Sequence, residues 1–109
     1  MIVRRTAVTL ALSLIVCAAA LDAAARSRPK THTVIMQNME FRPKTVTVKS
    51  GDSIVWVNKD LVPHTATTDS FDSLTIPPGK SWTSIAQAKG DFPYGCTFHP
   101  TMRGTLRVR

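Results

Sequence analysis

Short alternating runs of apolar and polar residues begin at Thr31 and continue to the carboxyl end of the chain. They are rich in β-branched side chains and repeat every second residue, which is typical of half-buried β-strands. Gly, Pro, Asn and Asp, which favour turns, separate the runs. Strands are therefore predicted at residues 33–36, 45–48, 53–57, 81–85 and 105–108. Since no segment beyond the first quarter of the chain has a helical period, the pattern predicts an all-β sandwich or barrel.

The same pattern indicates which residues face the interior. Residues 38–43 are predicted to form a bend with Phe41 turned inward, and Trp56 and Trp82 are expected in the core. Pro93 has no backbone N–H to donate, so we do not expect it at a central position of a sheet.

The first 25 residues have the features of a secretory signal peptide. Arg4 and Arg5 form a basic start, residues 6–21 carry no charge, and the alanines at 23–25 fit a cleavage site. The uncharged run is shorter than the roughly 20 residues of a membrane helix, and an uncleaved amino-terminal anchor is the alternative. We therefore expect a periplasmic or otherwise exported protein with a signal peptide at 1–25, a flexible lead-in at 26–31 and one domain at 32–109.

Charge and cysteine content narrow the class of protein further. The 109 residues have a formal net charge of +7 and two cysteines, of which Cys17 would leave with the signal peptide. Cys96 then has no partner for an internal disulfide, and metal ligation would explain a lone thiol in an exported protein. The positive charge favours an acidic partner. The basic residues are scattered along the sequence, which argues against nucleic acid as the partner.

Candidate metal ligands lie near the carboxyl end. Cys96, His99 and Met102 follow one another at intervals of three residues, and His64 lies far upstream. A thiolate, two imidazoles and a weak thioether are the ligands of electron-transfer copper sites. Three ligands so close in sequence can face one ion only from a curled loop, which Pro100 favours by restricting its own backbone and that of His99. These residues are predicted to hold one copper ion.

Each of these residues also has an ordinary interpretation. Taken singly, a Cys or Met is more often a core residue, and a His a surface residue, than a metal ligand. Zinc is the nearest competing metal, but structural zinc sites use four Cys or His ligands. A Cys–His nucleophile pair would need an orienting third group and a substrate pocket, and the sequence identifies neither.

Nearly the whole chain after the signal segment resembles the cupredoxins, specifically the amicyanin- and plastocyanin-like small blue copper proteins. The matching segments are residues 41–43, 48–52, 55–60, 62–65, 71–73, 78–79 and, most specifically, 94–104. The resemblance implies a Greek-key β-sandwich that binds one copper ion, cycling between Cu2+ and Cu+. It also implies the ligands: the imidazoles of His64 and His99, the thiolate of Cys96 and the weak axial thioether of Met102.

The resemblance further implies residues that support the ligands from behind, namely Pro63, Thr65, Thr97 and Pro100. Two positions differ from the common family pattern. Thr65 stands where Asn is frequent, and Phe98 stands where Pro is frequent. Such outer residues orient the ligands and tune the metal, so these differences bear on the reduction potential more than on copper binding.

The function implied is that of a monomeric one-electron carrier between periplasmic redox partners, and not of an enzyme. Electrons would pass through an exposed His99, surrounded by a patch of Pro63, Phe98, Pro100 and Arg103. The redox partner is expected to be a dehydrogenase, cytochrome or oxidase with an acidic surface. Contact with a membrane is expected only if the amino-terminal segment is retained.

Three other functions compete with electron transfer. Copper storage, delivery or resistance would use additional Met and His ligands, for which Met36, Met39 and His32 are the candidates. A copper enzyme would need another copper centre or an open substrate position. A metal-free β-sandwich adhesion domain would retain its optical spectrum when Cys96 is replaced by Ser.

Overall fold

Seven β-strands form the regular structure of residues 28–109, which are the residues that the computed structural model describes. The strands are β1 (Thr31–Gln37), β2 (Glu40–Arg42), β3 (Thr45–Val48), β4 (Ser53–Asn58), β5 (Ser81–Ile85), β6 (Gly90–Gly95) and β7 (Arg103–Val108). Within this part of the chain there is no helix with the length and apolar character needed to cross a membrane. The predicted signal peptide lies outside the described residues.

The strands form two sheets, in the orders β2-β1-β4-β5 and β3-β7-β6. The pairs β1–β4 and β3–β7 are parallel, whereas β1–β2, β4–β5 and β6–β7 are antiparallel. These directions give the sandwich two distinct ends. Strands β4 and β6 finish at the end that carries the predicted metal ligands, which we call the loop end. Strands β3 and β7 finish at the opposite end, which we call the far end.

Alternate residues of each strand build the core between the sheets. In β4, Ile54, Trp56 and Asn58 are fully buried, and the residues between them are only half-buried. The Trp56 ring contacts the Trp82 and Tyr94 rings at centroid distances of 5.3 and 5.7 Å. This aromatic cluster is the main apolar mass behind the loop end.

The fold confirms the all-β sandwich and each of the five predicted strands; the bounds at 45–48 and 81–85 agree, and the others differ by at most two residues. It also adds two strands. Residues 40–42 of the predicted bend form β2, which pairs with β1, and Phe41 is buried as expected at 3% exposure. Pro93 lies within β6, which is an edge strand of its sheet, so its missing N–H removes no central ladder bond.

The end of the expected lead-in is tied to the domain. Thr31 already belongs to β1 and pairs with Ser53. The backbone N–H of Lys30 donates to Oδ1 of Asp52 at 2.9 Å, and its carbonyl accepts from the Ser53 N–H at 2.8 Å. Strand β1 therefore includes Thr31, the last residue of the expected lead-in.

Candidate metal centre

The loop between β6 and β7 brings its three potential ligands to one side by successive tight turns. The His99 N–H donates to the Cys96 carbonyl at 3.3 Å, and the Met102 N–H donates to the His99 carbonyl at 2.9 Å. The Cys96 N–H closes the loop on the Met102 carbonyl at 3.2 Å. Each turn joins two residues that are three positions apart, so it returns the next ligand to the same face. This accounts for the interval seen in the sequence.

His64 reaches the loop from the segment between β4 and β5. It forms an isolated antiparallel bridge with Ile76, in which each N–H donates to the other's carbonyl at 3.2 and 2.7 Å. The His64 side chain is fully buried at the loop end. His64 lies outside the regular strands, but these two backbone hydrogen bonds fix its position as they would within a sheet.

Three ligand atoms form a compact triangle. The Nδ1 atoms of His64 and His99 are 3.2 Å apart, and the Cys96 Sγ lies 3.8 Å from the first and 3.5 Å from the second. The centre of a triangle with these sides is about 2 Å from each corner, close to the bond length of a transition metal to imidazole nitrogen. Among residues 28–109, these side chains are the one group of at least three His, Cys, Asp or Glu ligands that converge in this way.

The fourth predicted ligand, Met102, is buried at 1% exposure and belongs to the same hydrogen-bonded loop. One thiolate with two imidazoles in a triangle, and a thioether residue beside them, is the donor chemistry that suits copper. A four-coordinate structural zinc site would need a further strong Cys or His ligand. The residues present therefore fit one copper ion.

Thr65, predicted to support the site, contacts Cys96 through its backbone. Its N–H points at the Cys96 Sγ at 3.3 Å, where it stabilises negative charge on sulfur. Its hydroxyl instead accepts the Thr97 N–H at 2.9 Å and lies 3.1 Å from the Thr97 hydroxyl. Thr67, which the sequence analysis did not select, adds its hydroxyl at 2.9 Å from that of Thr65. The three threonines connect the His64 segment to the Cys96 loop.

Asp60 is the supporting residue that sequence reasoning missed. Its Oδ2 lies 2.7 Å from Nε2 of His64, and its carboxylate also accepts the N–H groups of Asn38 and Met39 at 2.7 and 3.0 Å. Burial acts to raise the pKa of Asp60, but the Met39 N–H, the His64 imidazole and the Asn38 N–H together hold it below its ordinary value. The signal available in the sequence was a carboxylate four residues before His64, because ligating histidines commonly donate their other N–H to one.

The predicted patch lies around the partly exposed edge of His99. Pro63 and Pro100 are exposed, and Phe98 is 49% exposed beside the His99 ring, at a centroid distance of 6.4 Å. The Arg103 Nε–H donates to the Pro100 carbonyl at 3.1 Å, which places one cation at the rim. Leu61 and Val62, exposed at 95% and 40%, precede Pro63 in the chain and were not anticipated.

Two of the three additional ligands considered for copper handling, Met36 and His32, are engaged elsewhere. Met36 is fully buried in the core, and Met39 lies on the turn that Asp60 holds. His32 lies at the far end, where its Nε2 is 2.9 Å from Oδ2 of Asp52.

The chain is similar to known proteins in both sequence and structure. A family model described as a cupredoxin-like domain matches residues 8–108. Amicyanin of Paracoccus versutus is 28% identical over 80 residues, which cover 67% of this chain and 61% of the relative. Its crystal structure aligns with a TM-score of 0.67 at 27% identity, covering 72% of this chain and 81% of that one.

Two further relatives extend the comparison. Chloroplastic plastocyanin of Tetradesmus obliquus is 33% identical over 72 residues, which cover 54% of this chain and 50% of the relative. The methylamine utilization protein MauL of Methylophilus methylotrophus is 30% identical over 112 residues, or 93% of this chain and 64% of the relative. The aligned part of the chain thus spans between half and two thirds of the length of the curated relatives compared.

Proposed function

The chain belongs to the cupredoxin-like domain family, and from that premise we propose that it binds one copper ion and carries single electrons between redox partners outside the cytoplasm. His64, Cys96 and His99 would hold the ion, with Met102 as the weak axial ligand. The observation that carries the proposal is the triangle of one lone thiol and two imidazole nitrogens, whose sides lie between 3.2 and 3.8 Å.

The bound copper would supply a one-electron couple between Cu2+ and Cu+. The protein residues keep the ligand positions constant in both states. Hydrogen bonds within the loop fix the Cys96–Met102 segment, and the Ile76 bridge fixes His64. Cys96, His64 and Met102 are exposed by 4% or less, so water has little access to the thiolate side of the centre. Ligands that stay in place lower the reorganisation energy of each electron transfer.

Electrons would enter and leave through His99, the one imidazole of the centre with an exposed edge. The apolar surface of Pro63, Phe98 and Pro100 would bring a partner into contact, and Arg103 would face a carboxylate on it. We propose a dehydrogenase, cytochrome or oxidase of the periplasm as that partner. An apolar contact with one rim charge suits a complex that must form and separate at every turnover.

A visible spectrum of the copper-loaded protein tests the proposal. We expect the intense absorption of a copper–thiolate bond, bleached reversibly by ascorbate. Replacing Cys96 by Ser removes this absorption, whereas Thr97→Ser, a nearby change that retains all four ligands, preserves it. An unchanged spectrum in Cys96→Ser would overturn the proposal, and colourless copper that a chelator removes rapidly would favour copper handling instead.

The patch is tested separately with Phe98→Ala. Because Phe98 is half exposed, its removal should leave the unfolding midpoint and the reduction by ascorbate unchanged. Electron exchange with a protein partner should slow several-fold, since interface aromatic residues carry much of the contact energy. Equal rates for both proteins would exclude the patch as the docking surface.

A further inference from the structure

The positive charge of the described residues is concentrated at the far end of the sandwich. Six cations lie there against two carboxylates, Asp52 and Asp91, which gives a net charge of +4. The rest of residues 28–109 contains five cations and four carboxylates, a net charge of +1. The six cations, which we call the basic face, are Arg28, Lys30, Lys49, Lys89, Arg107 and Arg109.

Strand directions bring these residues together. Lys49 follows β3 and Arg109 follows β7, which run parallel, and Lys89 precedes β6. The Ser50 N–H donates to the Arg109 carbonyl at 3.1 Å, so the two strand ends are joined. A cavity of about 380 Å³ opens between them and is lined in part by Arg28, Lys49, Lys89 and Arg109.

The two carboxylates of this end leave most of its cations uncompensated. Asp52 is buried at 4% exposure and is surrounded by the backbone N–H groups of Lys30 and Lys49 and the His32 imidazole. Asp91 pairs with the Arg109 guanidinium at 2.9 Å. The lysine ammonium groups form no salt bridge among the described residues, and all three lysines of the basic face are exposed.

We propose that the basic face docks onto an anionic phospholipid membrane. Among the described residues, the exposed apolar side chains of Leu61, Val62 and Phe98 lie at the loop end and Ile85 borders the basic face, so this face offers charge with little apolar surface to anchor a protein. A membrane surface attracts clustered cations by charge alone, without such anchors.

Docking of the basic face on lipid would also fix which end of the proposed electron carrier faces its redox partner. A net charge of +4 at the far end would draw an acidic redox partner to the side of the molecule away from His99. Bound to anionic lipid, that charge is neutralised and the loop end points into the aqueous compartment. The inference does not depend on copper, since the basic face contains no ligand of the metal centre.

Lysine footprinting on vesicles tests the proposal with the full-length chain. Vesicles of phosphatidylcholine alone are compared with vesicles that also contain phosphatidylglycerol, and a water-soluble amine reagent labels accessible lysines. On the anionic vesicles we expect protection of Lys30, Lys49 and Lys89, and unchanged labelling of the matched set Lys44, Lys59 and Lys80. Added salt should reverse the protection, because the attraction is electrostatic.

A pair of double variants distinguishes this face from net charge. Lys49→Gln with Lys89→Gln should reduce the preference for anionic over neutral vesicles about 25-fold, at about five-fold for each cation. Lys59→Gln with Lys80→Gln removes the same charge elsewhere and should change the preference little. Equal losses in the two double variants, or equal labelling of the two lysine sets on anionic vesicles, would overturn the proposal. If the basic face bound an acidic protein and not lipid, the two lysine sets would be labelled equally on anionic vesicles.

Discussion

Replacing Asp60 by Asn tests how far the candidate metal centre depends on a residue that contacts His64 on the side of the ring away from the other ligands. Asp60 accepts three hydrogen bonds, from Nε2 of His64 and from the backbone N–H groups of Asn38 and Met39. Asn38 and Met39 have φ angles of 53° and 61°, in the left-handed region that costs a side chain-bearing residue energy. The carboxylate therefore stabilises both a strained turn and the orientation of an imidazole.

The substitution retains the shape of the side chain but not its hydrogen-bonding capacity. Because Nδ1 of His64 faces the other ligand atoms, Nε2 carries the ring proton and donates it to Asp60. The Asn amide has one accepting oxygen and one donating nitrogen, so at least one of the three N–H groups loses its acceptor. The negative charge that strengthened all three bonds is also lost.

The expected magnitude follows from these losses. Hydrogen bonds to a charged group contribute about 1.5–3 kcal/mol, so the free energy of unfolding of the metal-free protein should fall by about 2 kcal/mol. Loss of the partner of a ligating histidine typically weakens metal binding about 10- to 100-fold. Asp60→Asn should therefore weaken copper binding by that factor.

Urea unfolding of the metal-free protein measures the first quantity, and competition with a copper chelator measures the second. Asp69→Asn is the matched control, since Asp69 is exposed and its replacement changes the charge by the same amount. We expect the control to match the unaltered protein in both assays. If Asp60→Asn bound copper as tightly as Asp69→Asn, the contact with His64 would have no role in positioning the ligand.

Three further predictions concern the scaffold, and urea unfolding checks each of them. Two backbone N–H groups and a histidine lower the pKa of Asp52 from 3.8 to about 2, so its contribution to stability is present above pH 4 and is lost as the pH falls toward 2. Asp52→Asn should flatten that acid dependence, and an unchanged profile would contradict the assignment. Gly104→Ala would place a Cβ 2.7 Å from the Tyr94 ring and should cost about 1–3 kcal/mol; wild-type stability would show that the ring moves freely. Ile76→Ala, at a site exposed by 2%, should cost about 2–5 kcal/mol. Leu61→Ala, at 95% exposure, should stay within about 0.5 kcal/mol, and similar losses for the two would refute the assigned burial.

The convergence of Cys96 and His99 on one side of the loop could be predicted because their arrangement is a local property. Cys96, His99 and Met102 are spaced by the length of one tight turn, and turn chemistry can be recognised from neighbouring residues. His64 followed from the family resemblance and from the need for a second imidazole. The strands followed from alternation, which reports burial of one face directly.

The missed features depend on contacts between residues distant in the fold. Strand β2 has only three residues, and its turn contains Asn38 and Met39 without the glycine that would mark it. That turn is stabilised by Asp60, more than 20 residues away in the sequence. Thr65 contacts the Cys96 sulfur through its backbone N–H and not through its side chain. Neither arrangement can be deduced from local pattern.

The separation of apolar and charged surface between the two ends makes distinct predictions about ionic strength. At the loop end, Phe98, Leu61 and Val62 are exposed, and the described residues outside the basic end carry a net charge of only +1, so contact there would depend mainly on apolar burial, which salt screens little. At the far end the net charge of +4 has little apolar surface beside it, so binding there should weaken steeply with salt. Electron exchange with a protein partner should thus persist at salt concentrations that release the protein from anionic vesicles. If both processes failed at the same salt concentration, charge near Arg103 rather than the apolar patch would govern partner docking.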